Sequence, residues 1–146
     1  MKFFVFIISI ILFLLPQGGK HRLVVKVTGL KPLKGELYIS LHNRPEYFNI
    51  ADSAFLKQKI AVDNETETFI FDRLPDSRYA IAVYHDENLN GKLDVNELGI
   101  PREGYGFSDN PKGMGRPKFE QTAFDFGRND TIEIKMVYHK APDEKK

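Results

Sequence analysis

The chain of 146 residues contains no cysteine and no tryptophan. Without cysteine there are no disulfides, no thiolate metal sites, no cysteine nucleophile and no cysteine-linked lipid. Whatever stiffens the fold must be packing or a bound ion. The chain also lacks a charge imbalance, with 21 Lys and Arg against 20 Asp and Glu. Its basic residues are scattered and no run of them interleaves with aromatics, so neither a nucleic-acid partner nor another polyanion is expected. There is no G-x-S-x-G, no H-E-x-x-H, no triad spacing, no internal repeat and no low-complexity linker. Nor is there an amphipathic helical stretch.

One long apolar run is present, from Phe3 to Leu15, preceded by Lys2 and followed by Pro16-Gln17-Gly18-Gly19. A single basic residue and roughly a dozen apolar ones form the layout of a secretory signal, too short to span a bilayer comfortably. Residues 1–19 are therefore expected to be a cleaved export signal, and the protein periplasmic, on the cell surface or secreted. Loss of Lys2 leaves 20 basic against 20 acidic residues. No A-x-A cleavage site precedes Lys20, so a retained amino-terminal segment is the alternative and the only expected contact with a membrane. Residues 20–140 form the expected domain, and 141–146 a flexible tail.

From His21 the pattern alternates. Leu23, Val25 and Val27 share one face of a first strand, and Leu37, Ile39 and Leu41 one face of a second, expected antiparallel to the first. Shorter strands follow around Leu56 to Val62 and Thr66 to Phe71, then a turn at Leu74-Pro75-Asp76-Ser77. The most regular strand is Tyr79 to His85, whose Ala80 and Ala82 suggest something approaching closely above that face. Two more strands close the chain, Gln121 to Phe126 and Thr131 to Tyr138. Any helix should lie around Pro45 to Leu56 or as single turns in the long connection between His85 and Phe119. About seven short strands predict an all-β, antiparallel two-sheet sandwich of immunoglobulin-like or transthyretin-like kind.

The connection opens with Asp86-Glu87-Asn88-Leu89-Asn90-Gly91-Lys92-Leu93-Asp94-Val95-Asn96-Glu97. Oxygen-bearing side chains stand at loop positions 1, 3, 5, 9 and 12, with glycine at 6 and an apolar residue at 8, the spacing of a calcium loop. Calcium takes six to eight oxygen ligands. Asp86, Asn88, Asn90 and Asp94 can supply side-chain oxygens, Lys92 its carbonyl and Glu97 a bidentate carboxylate, while Gly91 makes the sharp turn and Leu93 pins the loop inward. Three of the five side-chain ligands are charged, which places the expected affinity at about 0.1–1 mM, as in extracellular calcium modules. The competing reading is an Asx-rich turn whose side chains cap backbone amides without metal. Magnesium and zinc fit less well, the first needing tight octahedral geometry and the second histidine or thiolate. His85 adjoins the loop but belongs to the strand face of Val83, as a packed or surface residue and not a ligand; His21, His42 and His139 carry no ligand spacing.

The stretch Tyr79 to Asn88, continued by Asn90-Gly91-Lys92-Leu93-Asp94 and by Gly99-Ile100-Pro101-Arg102-Glu103-Gly104-Tyr105-Gly106-Phe107-Ser108, resembles a bacterial family of exported proteins, the domain of unknown function 2141 family. The resemblance runs from about Leu23 to Tyr138. It implies an exported single domain with no assigned activity. Leu89 stands where a small flexible residue is expected between the two asparagines. More distantly, the segment is similar to the calcium-binding B-type repeats of bacterial surface adhesins, which implies a calcium loop after a strand in a transthyretin-like sandwich and does not carry adhesion with it.

Beside the loop, Glu103-Gly104-Tyr105-Gly106-Phe107-Ser108-Asp109-Asn110 sets two glycines around an aromatic, a pattern that permits unusual backbone angles. Tyr105 and Phe107 then either face a ligand or fold back over an open end of the sandwich. The expected function is a non-enzymatic binding or interaction module braced by structural calcium, with a protein or glycan partner. The alternative is a cell-envelope hydrolase using Asp86, Glu97 or Glu103 as acid and base.

Overall fold

A computed structural model describes residues 19–48, 50–113 and 115–139. The expected export signal, apart from Gly19, and the expected tail lie outside these residues. The described residues fold as eight strands: β1 (Lys20–Thr28), β2 (Glu36–His42), β3 (Leu56–Ala61), β4 (Thr66–Pro75), β5 (Ser77–Asp86), β6 (Tyr105–Phe107), β7 (Phe124–Phe126) and β8 (Asp130–Lys135). Single 3-10 turns lie at Pro45–Tyr47, Ala51–Ser53 and Phe119–Gln121. The architecture is all-β and sandwich-like, as the alternation predicts.

One sheet has the order β4-β1-β8; the other runs β3-β2-β5-β6, with β7 also on β5. The pairing of β1 with β8 is parallel and every other strand pairing is antiparallel. The expected pairing of the first two strands does not form, because β1 and β2 lie in different sheets. Alternation tells which face of a strand is buried and says nothing about its neighbour. The faces themselves are as expected: Leu23, Val25 and Val27 from one sheet meet Leu37, Ile39, Leu41, Ile81 and Val83 from the other, all at most 3% exposed. Burying each of these side chains contributes about 1.5–3 kcal/mol before chain entropy is counted.

The fourth strand outruns its expected end at Phe71. A bulge shifts the β1–β4 register between His21 and Leu23, and Arg73 there has φ 60°. The extra residue flips the parity of the strand, so Phe69, Phe71 and Leu74 are all buried although the last breaks the period of two. Leu74 and Pro75 are consequently strand residues and not a turn.

The two seams of the sandwich differ. At one, β6 pairs with β5 and also bridges Val137, just past β8, with Tyr105 N–H donating to the Val137 carbonyl (3.0 Å) and Val137 N–H to the Tyr105 carbonyl (2.7 Å). At the other, β3 and β4 are unpaired edges, and the Gln58 side chain crosses between them to donate to the Ile70 carbonyl at 2.9 Å. β6 and β7 share one edge of β5. In the gap between them, the Ile81 N–H donates to Ser108 Oγ (2.8 Å) and the Ser108 N–H to the Ile81 carbonyl (3.0 Å).

Candidate functional site

The long connection leaves β5 at Asp86, which is fully buried. Its carboxylate does not point to solvent: Oδ1 accepts from the Asn90 N–H (3.0 Å) and Oδ2 from the Gly91 N–H (2.7 Å). Gly91 turns the loop at φ 79°, as expected. Leu89 has φ 62° and is 64% exposed. That left-handed backbone is the reason a small flexible residue is expected at its position.

Asn88, Asn90 and Asp94 are brought together. Asn88 Nδ2 donates to Asp94 Oδ2 (2.6 Å), and Asn90 Nδ2 donates to both Asp94 oxygens (3.0 and 2.9 Å). The hydrogen bonds from Asn90, then Asn88, hold the Asp94 carboxyl below its ordinary value. The Asn88 and Asn90 carbonyl oxygens accept from Asn90 N–H and Lys92 N–H, both at 3.1 Å. The Tyr84 hydroxyl donates to the Gly91 carbonyl (3.1 Å), fastening the loop to the outer face of β5. Burial, followed by the nearby Tyr38 and the carboxylates, pushes the Tyr84 phenol up to about 12. Leu93 is half-buried, while Glu97 is exposed and joins none of these bonds.

Across the loop stands a residue whose position the calcium spacing does not include. Glu103 is 5% exposed; Oε1 accepts from the Glu87 N–H and Oε2 from the Asp94 N–H, each at 2.9 Å. It ties the start of the loop to its end. Among the described residues no group of three or more carboxylates and histidines stands close enough to hold a metal ion. A half-turn of the Asn88 and Asn90 amides would bring their oxygens toward Asp94 but set Nδ2 against the Asn90 and Lys92 N–H groups, so a cation there needs the loop backbone to move as well.

His85 is a packed residue. The Lys34 carbonyl can only accept, so His85 Nε2 donates to it (2.7 Å). Nδ1 then takes the hydroxyl proton of Tyr138 at 2.8 Å, and the Tyr138 oxygen accepts from the Lys31 N–H at 3.2 Å. This relay joins β5, the β1–β2 connection and the end of the domain.

Within the glycine–aromatic segment Tyr105–Phe107 form a strand, β6, and the unusual angles fall after it, at Asp109 (φ 62°) and Asn110 (φ 44°). Neither Gly104 nor Gly106 has a positive φ. They are required for space: a Cβ on Gly104 meets the Tyr138 ring at 2.3 Å, and one on Gly106 meets Ile134 Cγ2 at 2.8 Å. Tyr105 and Phe107 consequently take the outer face, both half-buried. There the rings of His42, Phe48, Phe107, Tyr105 and His139 follow one another with centroids 5.4, 6.2, 6.0 and 5.5 Å apart. This row accounts for the small residues expected on β5, since Ala80 stands opposite His42 and is fully buried beneath it.

Next to Tyr105 and Phe107 opens a cleft of about 760 Å³, walled by β6, by the stretch after β8, and by residues 110–113 and 115–117. Lys31, Lys112, Arg116, Lys135 and His139 line it and, among the described residues, no acidic one does. None of the four Lys and Arg side chains makes an ion pair with another described residue. The sequence scatters these cations over more than a hundred positions, which is why no basic site was legible in it.

No curated protein and no solved structure matches the chain. A family model does, over residues 25–134, and its description reads uncharacterized protein conserved in bacteria. The match spans all eight strands apart from the ends of β1 and β8. The chain therefore belongs to the DUF2141 family of bacterial proteins.

Proposed function

We propose that this protein is an exported, non-enzymatic binding module whose contact surface is the cleft beside β6, held in shape by the Asp86–Glu97 loop with calcium as its brace. The observation that carries the reading is the cleft itself. Its volume of about 760 Å³ falls in the range of small-ligand sites, and its wall joins half-buried aromatic rings to unpaired cations. Of the three carboxylates named for a hydrolase, Glu97 alone is uncommitted, and acid–base catalysis needs a second. Both oxygens of Asp86 and both of Glu103 accept backbone amides, which leaves neither free to move a proton on a substrate.

In the calcium-bound form, Asp86, Asn88, Asn90 and Asp94 supply side-chain oxygens, Lys92 its carbonyl and Glu97 its carboxylate. Calcium would neutralise the carboxylates and replace the amide–carboxylate bonds now closing the loop. Calorimetric titration of calcium into the full chain is expected to give one site with Kd of about 0.1–1 mM. Asp94→Asn and Glu97→Ala are each expected to weaken it at least tenfold. Equal weak heats in the wild type and both variants would overturn the calcium brace.

A further inference from the structure

The geometry points to an acidic carbohydrate, a short uronic-acid oligosaccharide, as the occupant of the cleft beside β6. The inference deepens the binding-module reading and rests on it. Three observations narrow the ligand. First, among the described residues the charge in the cleft wall is of one sign. Lys31, Lys112, Arg116 and Lys135 line it, each is exposed, and the nearby carboxylates of Glu87 and Glu133 are not part of the described wall. Unpaired cations around a concave surface attract carboxylates over about a Debye length of 10 Å.

Second, several backbone groups beside the cleft that an added strand would use are already taken. The N–H and carbonyl of Tyr105 are taken by Val137, and the Met136 N–H by the Thr28 carbonyl. The edge of β8 is closed by a side chain that imitates a strand: Asn110 Nδ2 donates to the Glu133 carbonyl (2.9 Å), and Asn110 Oδ1 accepts from the Lys135 N–H (2.7 Å). Asn110 sits at φ 44° to do so. An extended acidic peptide, which binds by continuing a sheet edge, finds these positions filled. The ligand is recognised through side chains.

Third, the aromatic surface has the wrong shape for successive nucleobases. Tyr105 and Phe107 meet at 65°, so they cannot present two parallel platforms. A single ring face with cations around it suits one pyranose, whose C–H face lies on the aromatic and whose carboxylate reaches a lysine or arginine. The Tyr105 hydroxyl is anchored on His139 Nε2 at 2.8 Å, which fixes the ring in place before any ligand arrives.

The test is calorimetry on the full chain, at one fixed calcium concentration, with four probes: tri-galacturonic acid, its methyl ester, a hexaglutamate peptide and a short oligothymidylate. The acid is expected to bind, the ester at least tenfold more weakly, and the peptide and oligonucleotide more weakly than the acid. Lys112→Glu and Arg116→Glu, both at exposed positions, are each expected to weaken the acid about tenfold with no change in the thermal unfolding midpoint. Tyr105→Leu is expected to weaken acid and ester alike. Equal binding of acid and ester overturns the acidic class and leaves the binding module standing. Tighter binding of the peptide or the oligonucleotide, or no binding of the acid, also overturns the inference. Shortened sugars in the mixture by mass spectrometry overturn the binding-module reading instead.

Discussion

The two halves of the connection between β5 and β7 treat their charges in opposite ways. In the first half, Asp86, Asp94 and Glu103 turn their carboxylates onto amides of the loop itself. In the second, and on the β1–β2 connection and β8 facing it, Lys31, Lys112, Arg116 and Lys135 pair with no carboxylate of the described residues. Acid spent on backbone amides is architecture, because a buried N–H left without an acceptor is costly. Cations left in solvent around a cleft do nothing for the fold and remain available to a ligand. The proposed division into a brace and a recognition surface rests on this difference.

The largest expected effect comes from breaking the brace. Glu103→Ala strands the Glu87 and Asp94 amides, each held by a charge-assisted bond worth about 1.5–3 kcal/mol, and should lower stability by about 3 kcal/mol in chemical denaturation. Lys112→Glu on the other half should change stability by less than about 0.5 kcal/mol, as an exposed substitution away from any packed feature. Similar losses from the two substitutions would erase the distinction.

Acid should separate the halves next. Asp94 is held below its ordinary 3.8 by the amides of Asn90 and Asn88. A carboxyl lowered in the folded state contributes stability that is present above about 3.8 and lost as pH falls through its folded value. Protection factors of the Asn88 and Asn90 side-chain amides, which donate to Asp94, are therefore expected to fall below that pH in an acid series, while the Tyr105 and Val137 backbone amides keep theirs. Simultaneous loss in both regions would mean that the loop and the β6 seam open as one unit.

Much of this molecule was legible in its residues. Alternation at Leu23–Val27, Leu37–Leu41 and Tyr79–His85 gives the buried faces, because a strand's period of two is a property of the strand alone. Partners are not local. The chain order could not show that β1 lies between β4 and β8, or that β2 joins the other sheet. β6 went unrecognised because Gly104 and Gly106, which read as turn residues, are there to let Tyr138 and Ile134 approach. Within the loop, the side chains of Asn88, Asn90 and Asp94 gather, while the Asp86 carboxylate holds the Asn90 and Gly91 amides. The spacing could not find Glu103, which closes the loop from outside the twelve positions, and it could not assemble a cleft from cations so far apart in the chain.

The separation of brace from recognition surface is tested most directly by amide NMR on the full chain, titrated in separate experiments with calcium and with tri-galacturonic acid. Calcium is expected to shift the amides of residues 86–97, and the sugar those of Tyr105, Phe107, Lys112 and Lys135, with little overlap. Sugar-induced shifts centred on residues 86–97, with Tyr105 and Lys135 unmoved, would contradict the account.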